Sequence, residues 1–225
     1  MQWVWSNLDT IWSLTLAHVG LSVIPIIVGF ILSIPLGYAA SRSRVARSIL
    51  LSVGGILYTI PSLALFFTIP VIIGTSLLDP INVVVALTVY AVAIMIRTAT
   101  DAFASVPADV QDSARAVGFS RAQQFFSVDL PLAGPVLLAG VRVVSVSTVS
   151  LVSVGALIGV SSLGSLFTEG FGNGNPPEVW AGIVGTLLIA AVYDAVITVV
   201  ARLLMPWSRR ATRRVRVAAP KVVRA

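Results

Sequence analysis

Five stretches of this chain run on with almost no charge, each close to the length of apolar helix that a bilayer core demands, about 20 residues. They cover residues 19–40, 49–73, 83–97, 132–160 and 179–205. The third is short at strictly apolar positions and extends back to Pro80; the fourth carries Arg142 and the fifth Asp194. Hydrophobic residue types make up 57% of the 225 residues and charged types 11%. A soluble domain carries about a quarter of its residues charged, so this chain could not solvate itself. The expectation is an all-α integral membrane protein with about five transmembrane helices.

Charge is sorted by side. Five spans leave residues 1–18, 74–82 and 161–178 on one face, with Asp9, Asp79, Glu169 and Glu178 and no Lys or Arg. The other face holds residues 41–48, 98–131 and 206–225, with Arg42, Arg44, Arg47, Arg115, Arg121 and the basic tail. Short loops rich in Lys and Arg stay in the cytoplasm. The N-terminus is therefore expected outside and the C-terminus inside. Ser162, in an outer loop, is expected to be open to an impermeant thiol reagent once replaced by Cys.

Residues 1–18 lack a basic start and an apolar run, so they do not read as a signal peptide. They read as an interfacial segment, with Trp3, Trp5 and Trp12 at headgroup level. The tail, residues 206–225, follows a span directly. It reads as an anchor on the anionic lipid of the bilayer and not as a nucleic-acid arm. There is no Cys, hence no disulfide framework and no thiol chemistry.

One polar segment interrupts the apolar pattern on the basic side, within the loop 101–131. Ser105 is placed to cap a helix, with Pro107 and Asp109 in its first turn. Val110, Ala114 and Val117 form an apolar stripe. Gly118 stands where a chain leaves a helix with positive φ. Ser120 and Gln123 have capping-box spacing for a second helix, and Asp129-Leu130-Pro131 opens the fourth span. Helix, glycine turn, helix is the predicted form. Such a hairpin either docks in a partner's groove or packs as a lid on its own bundle.

Asp112-Ser113-Ala114, three residues, Gly118, nine residues, Val128, one residue, Leu130-Pro131 resembles the EAA motif of permease subunits of binding-protein-dependent ABC importers. Asp and Ser stand where that motif has Glu and Ala. The resemblance implies a type I importer permease in a bacterial inner membrane, with the hairpin as a coupling helix seated in an ATP-binding subunit. Asp112, Ser113, Ala114, Gly118, Leu130 and Pro131 are then the coupling residues. A second permease copy or a sister permease, two ATP-binding subunits and an extracytoplasmic substrate-binding protein are the implied partners. ATP and Mg would sit on the partner ATPase. This chain has one lysine, Lys221, and no Gly-Lys-Ser/Thr phosphate loop.

Two further stretches resemble the osmoprotectant permeases, which carry glycine betaine, carnitine or choline. They are "YTIPSLALFFTIP" at residues 58–70 and "GALIGVSSLGSLFTEGF" at residues 155–171, the latter with Val160-Ser161-Ser162 in place of Ala-Gly-Gly. Arg142, in "LAGVR", also matches, and the likeness covers roughly residues 15–205. The runner-up is a permease for another small solute, such as an amino acid.

Pro61, inside the second span, frees a carbonyl and kinks the helix. Such a break either lines a solute path or is a packing kink. Tyr58, Pro61 and Ser62 are the path candidates. Pro25 and Pro35 are read as packing features. Charges inside a bilayer usually have a partner or a function. At 1.5 Å per residue, Asp194 and Arg142 lie roughly 18 Å and 16 Å from the basic side. Matched depth points to a pair, with contact to solute the sharper alternative. Arg97 and Arg202 can snorkel, and Arg97 can also pair with Asp101 at i+4. His18 is expected at the interface.

An intramembrane enzyme would need a paired nucleophile and base, and a metal site would need a ligand cluster. One histidine and no cysteine offer neither. A channel or secondary carrier fits the composition but leaves the hairpin unexplained.

Overall fold

A computed structural model of the chain describes residues 2–207. The basic tail expected at 206–225 lies, beyond Trp207, outside the described residues. The described residues form ten α-helices and no strand. α1 is Gln2–Ser6, and α2 runs unbroken from Leu8 to Arg42. α3 is Arg44–Thr59 and α4 is Ser62–Ile73. α5, Pro80–Ala104, starts with Pro80 behind the Asp79 cap, whose carboxylate accepts from the Ile81 amide at 2.9 Å. α6 is Ala108–Ala116 and α7 is Arg121–Gln124. A π-turn at Phe125–Asp129 joins α7 to α8, Leu130–Val154. A 3-10 turn at Gly155–Ile158 leads to α9, Ser165–Gly172, and then α10, Pro176–Leu204.

Four helical segments are long and apolar enough to cross a membrane, and the pair α3–α4 supplies a fifth if its bend belongs to one span. The first is longer than expected. The boundary set at residue 18 falls inside α2, because nothing between Leu8 and Ala17 breaks a helix and this stretch is packed. Ile11 and Leu14, with Trp3 of α1, pack on the cluster of Val149, Leu163, Leu166 and Ile189. Pro25 and Pro35 lie within α2 without ending it.

The second segment is broken where a kink was expected. α3 and α4 meet at 105°. Ile60 and Pro61 both leave helical geometry, at φ/ψ of −65/128° and −59/136°. The ring of Pro61 disfavours helical backbone at the preceding residue. The carbonyl freed at Ile60 accepts from the Tyr90 hydroxyl, so the break is satisfied by α5.

α5 is the central post. α2 packs along it through small residues: a Cβ on Gly29 would lie 2.4 Å from that of Ala91, and one on Gly37 2.4 Å from that of Ala99. Close backbone approach through small residues is how helices associate where lipid is as apolar as leucine. α8 covers another side, burying Ala133, Leu137, Val141 and Val144 with Met95, Ala99 and Phe103. Leu65, Phe66 and Ile69 of α4 pack on Val83, Leu87 and Tyr90 at the other end of α5.

Two residues expected near the surface are buried. His18 is fully enclosed, its Nε2 3.0 Å from the carbonyl oxygen of Val149. It is a contact between α2 and α8, not an interfacial group. Ser162 is also fully buried. Its Oγ accepts from the Gly164 amide at 3.1 Å, and Gly164 itself lies against the backbone of Ser153. Ser161 beside it is exposed and is the better reporter position.

Candidate functional site: the polar hairpin and the intramembrane charges

The hairpin is built by three local devices. Ser105 does not cap α6: its Oγ donates to the Ala102 carbonyl at 2.7 Å, closing α5. Pro107 takes the N-cap position, without a side-chain bond. At the other end of α6 the Phe119 amide reaches the Ala114 carbonyl at 3.1 Å and the Gly118 amide that of Arg115 at 3.0 Å. This is a Schellman closure, and it requires the φ of +87° found at Gly118. A Cβ there would meet no atom within 4 Å, so glycine is needed for conformation alone. Ser120 and Gln123 then form a reciprocal capping box: Gln123 N donates to Ser120 Oγ at 3.3 Å, and Ser120 N to Gln123 Oε1 at 2.9 Å.

α7, the π-turn and α8 form one continuous helical segment. The wide turn precedes Pro131, which has no amide to continue the i→i−4 ladder, and the Leu130 amide bonds back to Phe125. Asp129 ends this turn and is 1% exposed. It accepts from Arg42 Nη2 at 2.7 Å and from the Tyr38 hydroxyl at 3.2 Å, with Gln124 Nε2 at 3.5 Å. Arg42 also donates through Nη1 to Gln111 of α6 at 2.9 Å. Its guanidinium lies 4.9 Å from the Tyr38 ring centre. Tyr38 meets Phe103 and Phe125 edge-on, at 5.3 and 4.7 Å between centres. One arginine at the end of α2 thus ties both limbs of the hairpin to the bundle.

The expected stripe divides. Ala114 is buried, whereas Val117 is 74% exposed, because α6 ends at Ala116 and Val117 has left its period. Phe119 and Phe126, on the turn and the second limb, are exposed as well. Asp112 and Ser113 are also exposed. Asp112 pairs with Arg115, and the Ser113 hydroxyl donates to the Asp109 carbonyl at 2.7 Å. Leu130 and Pro131 open α8, with Leu130 against the core.

Within the spans, Arg142 Nε lies 3.1 Å from Asp194 Oδ1, and the same guanidinium donates to Thr198 Oγ1. The side chains of the pair are 44% and 56% exposed. Tyr58 stands edge-on to Tyr90 at 6.1 Å. It lines a groove of about 360 Å³ between α3, α5 and α8 that also holds Arg97, Thr98 and Ser147. Pro61 and Ser62 form the 105° bend instead and do not line this groove. Arg97 does not take Asp101, whose carboxylate is held by Arg47 of α3 at 2.9 Å.

A family model described as binding-protein-dependent transport system inner membrane component matches residues 26–214. The chain belongs to this family. It is similar to the choline transport system permease protein OpuBB of Bacillus subtilis, at 30% identity over 193 residues, 85% of this chain and 87% of that one. It is 27% identical over 190 residues to the glycine betaine/carnitine/choline transport system permease protein OpuCB of the same organism, 84% of this chain and 86% of the relative. Its fold matches a chain of the MetNI methionine ABC transporter in an inward-facing form. The TM-score is 0.79 and the identity 20%, covering 88% of this chain and 98% of that one. The type I importer permease architecture follows from that match.

In this permease Asp112, Ser113, Ala114 and Gly118 lie on the first limb and turn of the hairpin, and Leu130 and Pro131 lie apart from them at the start of α8. The joint beneath them, Tyr38, Arg42, Gln124 and Asp129, escaped sequence reasoning. Arg42 counted there as one more positive charge and Asp129 as the start of a span. A usable signal was Asp129 itself, a carboxylate entering an apolar run, with Tyr38 and Arg42 on one helix face at i and i+4.

Proposed function

We propose that this chain is the membrane subunit of an ATP-driven importer that moves a small quaternary-ammonium osmoprotectant, such as glycine betaine, choline or carnitine, into the cytoplasm. The observation that carries the reading is the hairpin. It is fixed from below by Arg42 and Asp129 and presents Val117, Phe119 and Phe126 outward. An exposed apolar surface on a polar loop wants a partner, and an ATP-binding subunit is the partner that suits a binding-protein-dependent transport system. ATP and Mg sit on that subunit. Two permease copies, or this chain with a sister permease, sit on two ATPases and receive solute from an extracytoplasmic binding protein. The solute class rests on relatives whose names include choline, glycine betaine and carnitine. Affinity comes chiefly from the binding protein.

In this reading the hairpin faces the cytoplasm and the N-terminus the outside, which suits the basic residues clustered at the hairpin end. Cys at Ser161 should then react with an impermeant thiol reagent in intact cells, and Cys at Ser43 should not; the reverse pattern overturns the orientation. The function is tested by reconstituting the permease with its ATPase and binding protein in vesicles. ATP-dependent uptake of labelled glycine betaine, choline or carnitine is expected. Uptake of an amino acid and of none of these three would move the assignment to the runner-up.

A further inference from the structure

Arg97 is exposed within α5, about 10 Å before the helix ends at Ala104. Among the described residues it has no hydrogen-bond or ion-pair partner. An ionisable side chain at such a position calls for a counter-group. The permease itself offers none. Toward the hairpin end of the bundle, the carboxylates in or next to the spans are Asp101, Asp129 and Asp194, and they are held by Arg47, Arg42 and Arg142. A second copy would bring the same three, already paired.

The groove around Arg97 has room and one aromatic wall. Gly54 and Gly55 face it from α3, and a Cβ on Gly55 would meet no atom within 4 Å. Tyr58 lies one turn further along the same face, 54% exposed. Thr98 and Ser147 add hydroxyls, and no acidic side chain lines the groove. A guanidinium binds a carboxylate through two parallel hydrogen bonds, and a tyrosine ring attracts a quaternary ammonium.

We propose that this groove is a solute site of the permease, in which Arg97 takes the carboxylate of a zwitterionic quaternary-ammonium solute and Tyr58 faces its cationic end. The inference rests on the osmoprotectant reading and narrows it. A groove with one fixed positive charge and no acid disfavours a simple cation. Solutes with a carboxylate are admitted, and choline is not.

The test uses the complete transporter in proteoliposomes, with ATP-dependent uptake of labelled glycine betaine as the readout. Arg97→Gln should lower uptake about tenfold or more, the fold-change expected when one charge-assisted hydrogen bond is lost, and Arg97→Lys should keep an intermediate rate. Gly55→Leu, which fills the groove while keeping Arg97 in the chain, should lower uptake to a similar degree. Co-purification of the ATPase with each variant shows that the assembly is intact. A separate arm omits the binding protein. In the Cys-free chain, maleimide labelling of Gly55→Cys should be slowed by glycine betaine, unaffected by choline, and insensitive to both once Arg97→Gln is added. Undiminished uptake by Arg97→Gln overturns the site, and so does equal protection by choline. Labelling blocked in vesicles without solute and released in detergent would place a lipid phosphate in the groove and also overturn it. If wild-type transporter carries no quaternary-ammonium solute at all, the osmoprotectant reading falls instead.

Discussion

α5 and α10 look alike in sequence, two apolar runs of 25 and 29 residues, yet α5 buries 56% of its most apolar window inside the subunit and α10 6%. Their side chains explain the difference. α5 presents Ala86, Ala91, Ala93, Ala99 and Ala102 to its neighbours, and all are buried. α10 turns Val184, Leu187, Leu188, Val192 and Val199 outward. In lipid, apolarity decides that a helix crosses, and small side chains decide how closely it is approached. α5 is thereby the interior post, and α10 presents its surface to lipid or to another subunit.

The largest effect of mutation is expected at the α2–α5 contact. Gly37→Leu puts a side chain where a Cβ already falls 2.4 Å from Ala99. Overpacking of this kind costs about 1–3 kcal/mol or more, and the variant should fail to accumulate or lose its thermal transition in detergent. Normal thermal stability would mean that α2 and α5 are not locked together. The next effect falls at the hairpin joint. Asp129→Asn leaves Arg42 without its carboxylate. The loss should be about 2 kcal/mol, below the roughly 3–5 kcal/mol of a fully buried pair because Arg42 is partly exposed. ATPase co-purification should fall while the protein still inserts; intact attachment would show that the joint does not hold the hairpin. A smaller effect is expected where α8 meets α10. In a double-mutant cycle, Arg142→Gln and Asp194→Asn should show a coupling of about 0.5–1 kcal/mol, the lower part of the range for contacting residues, and simple additivity would dissolve the pair. Smallest of all is Leu187→Ala on the outer face of α10, within about 0.5 kcal/mol for the isolated subunit. A larger loss seen only in the assembled transporter would identify that face as an interface with another subunit.

Local features were legible in the sequence and long-range ones were not. The spans followed from apolar length, and the hairpin from Gly118 and the Ser120–Gln123 spacing, because a turn or a cap is decided within a few residues. The depths of Arg142 and Asp194 could be matched because residue count along a helix converts directly to height. The partner of Arg42 lies 87 positions away, and no local pattern encodes it. His18 was misplaced for the same reason, since its burial depends on α8 arriving beside it. Asp101 went to Arg47 because α3 brings that side chain across, where i+4 spacing favoured Arg97. The size of the bend at Pro61 also lay beyond the sequence, since the Tyr90 hydroxyl must be there to donate to the open carbonyl of Ile60.

The unbroken run from α7 through the π-turn into α8 makes the second limb of the hairpin and the fourth span one continuous helical segment, tied to α2 at Asp129. The arm on the hairpin side, Arg121–Gln124 plus the turn, measures about 13 Å, and the 25-residue arm inside the bundle about 37 Å. No break separates limb from span, so a displacement of this limb meets no loop before α8 in which to be absorbed.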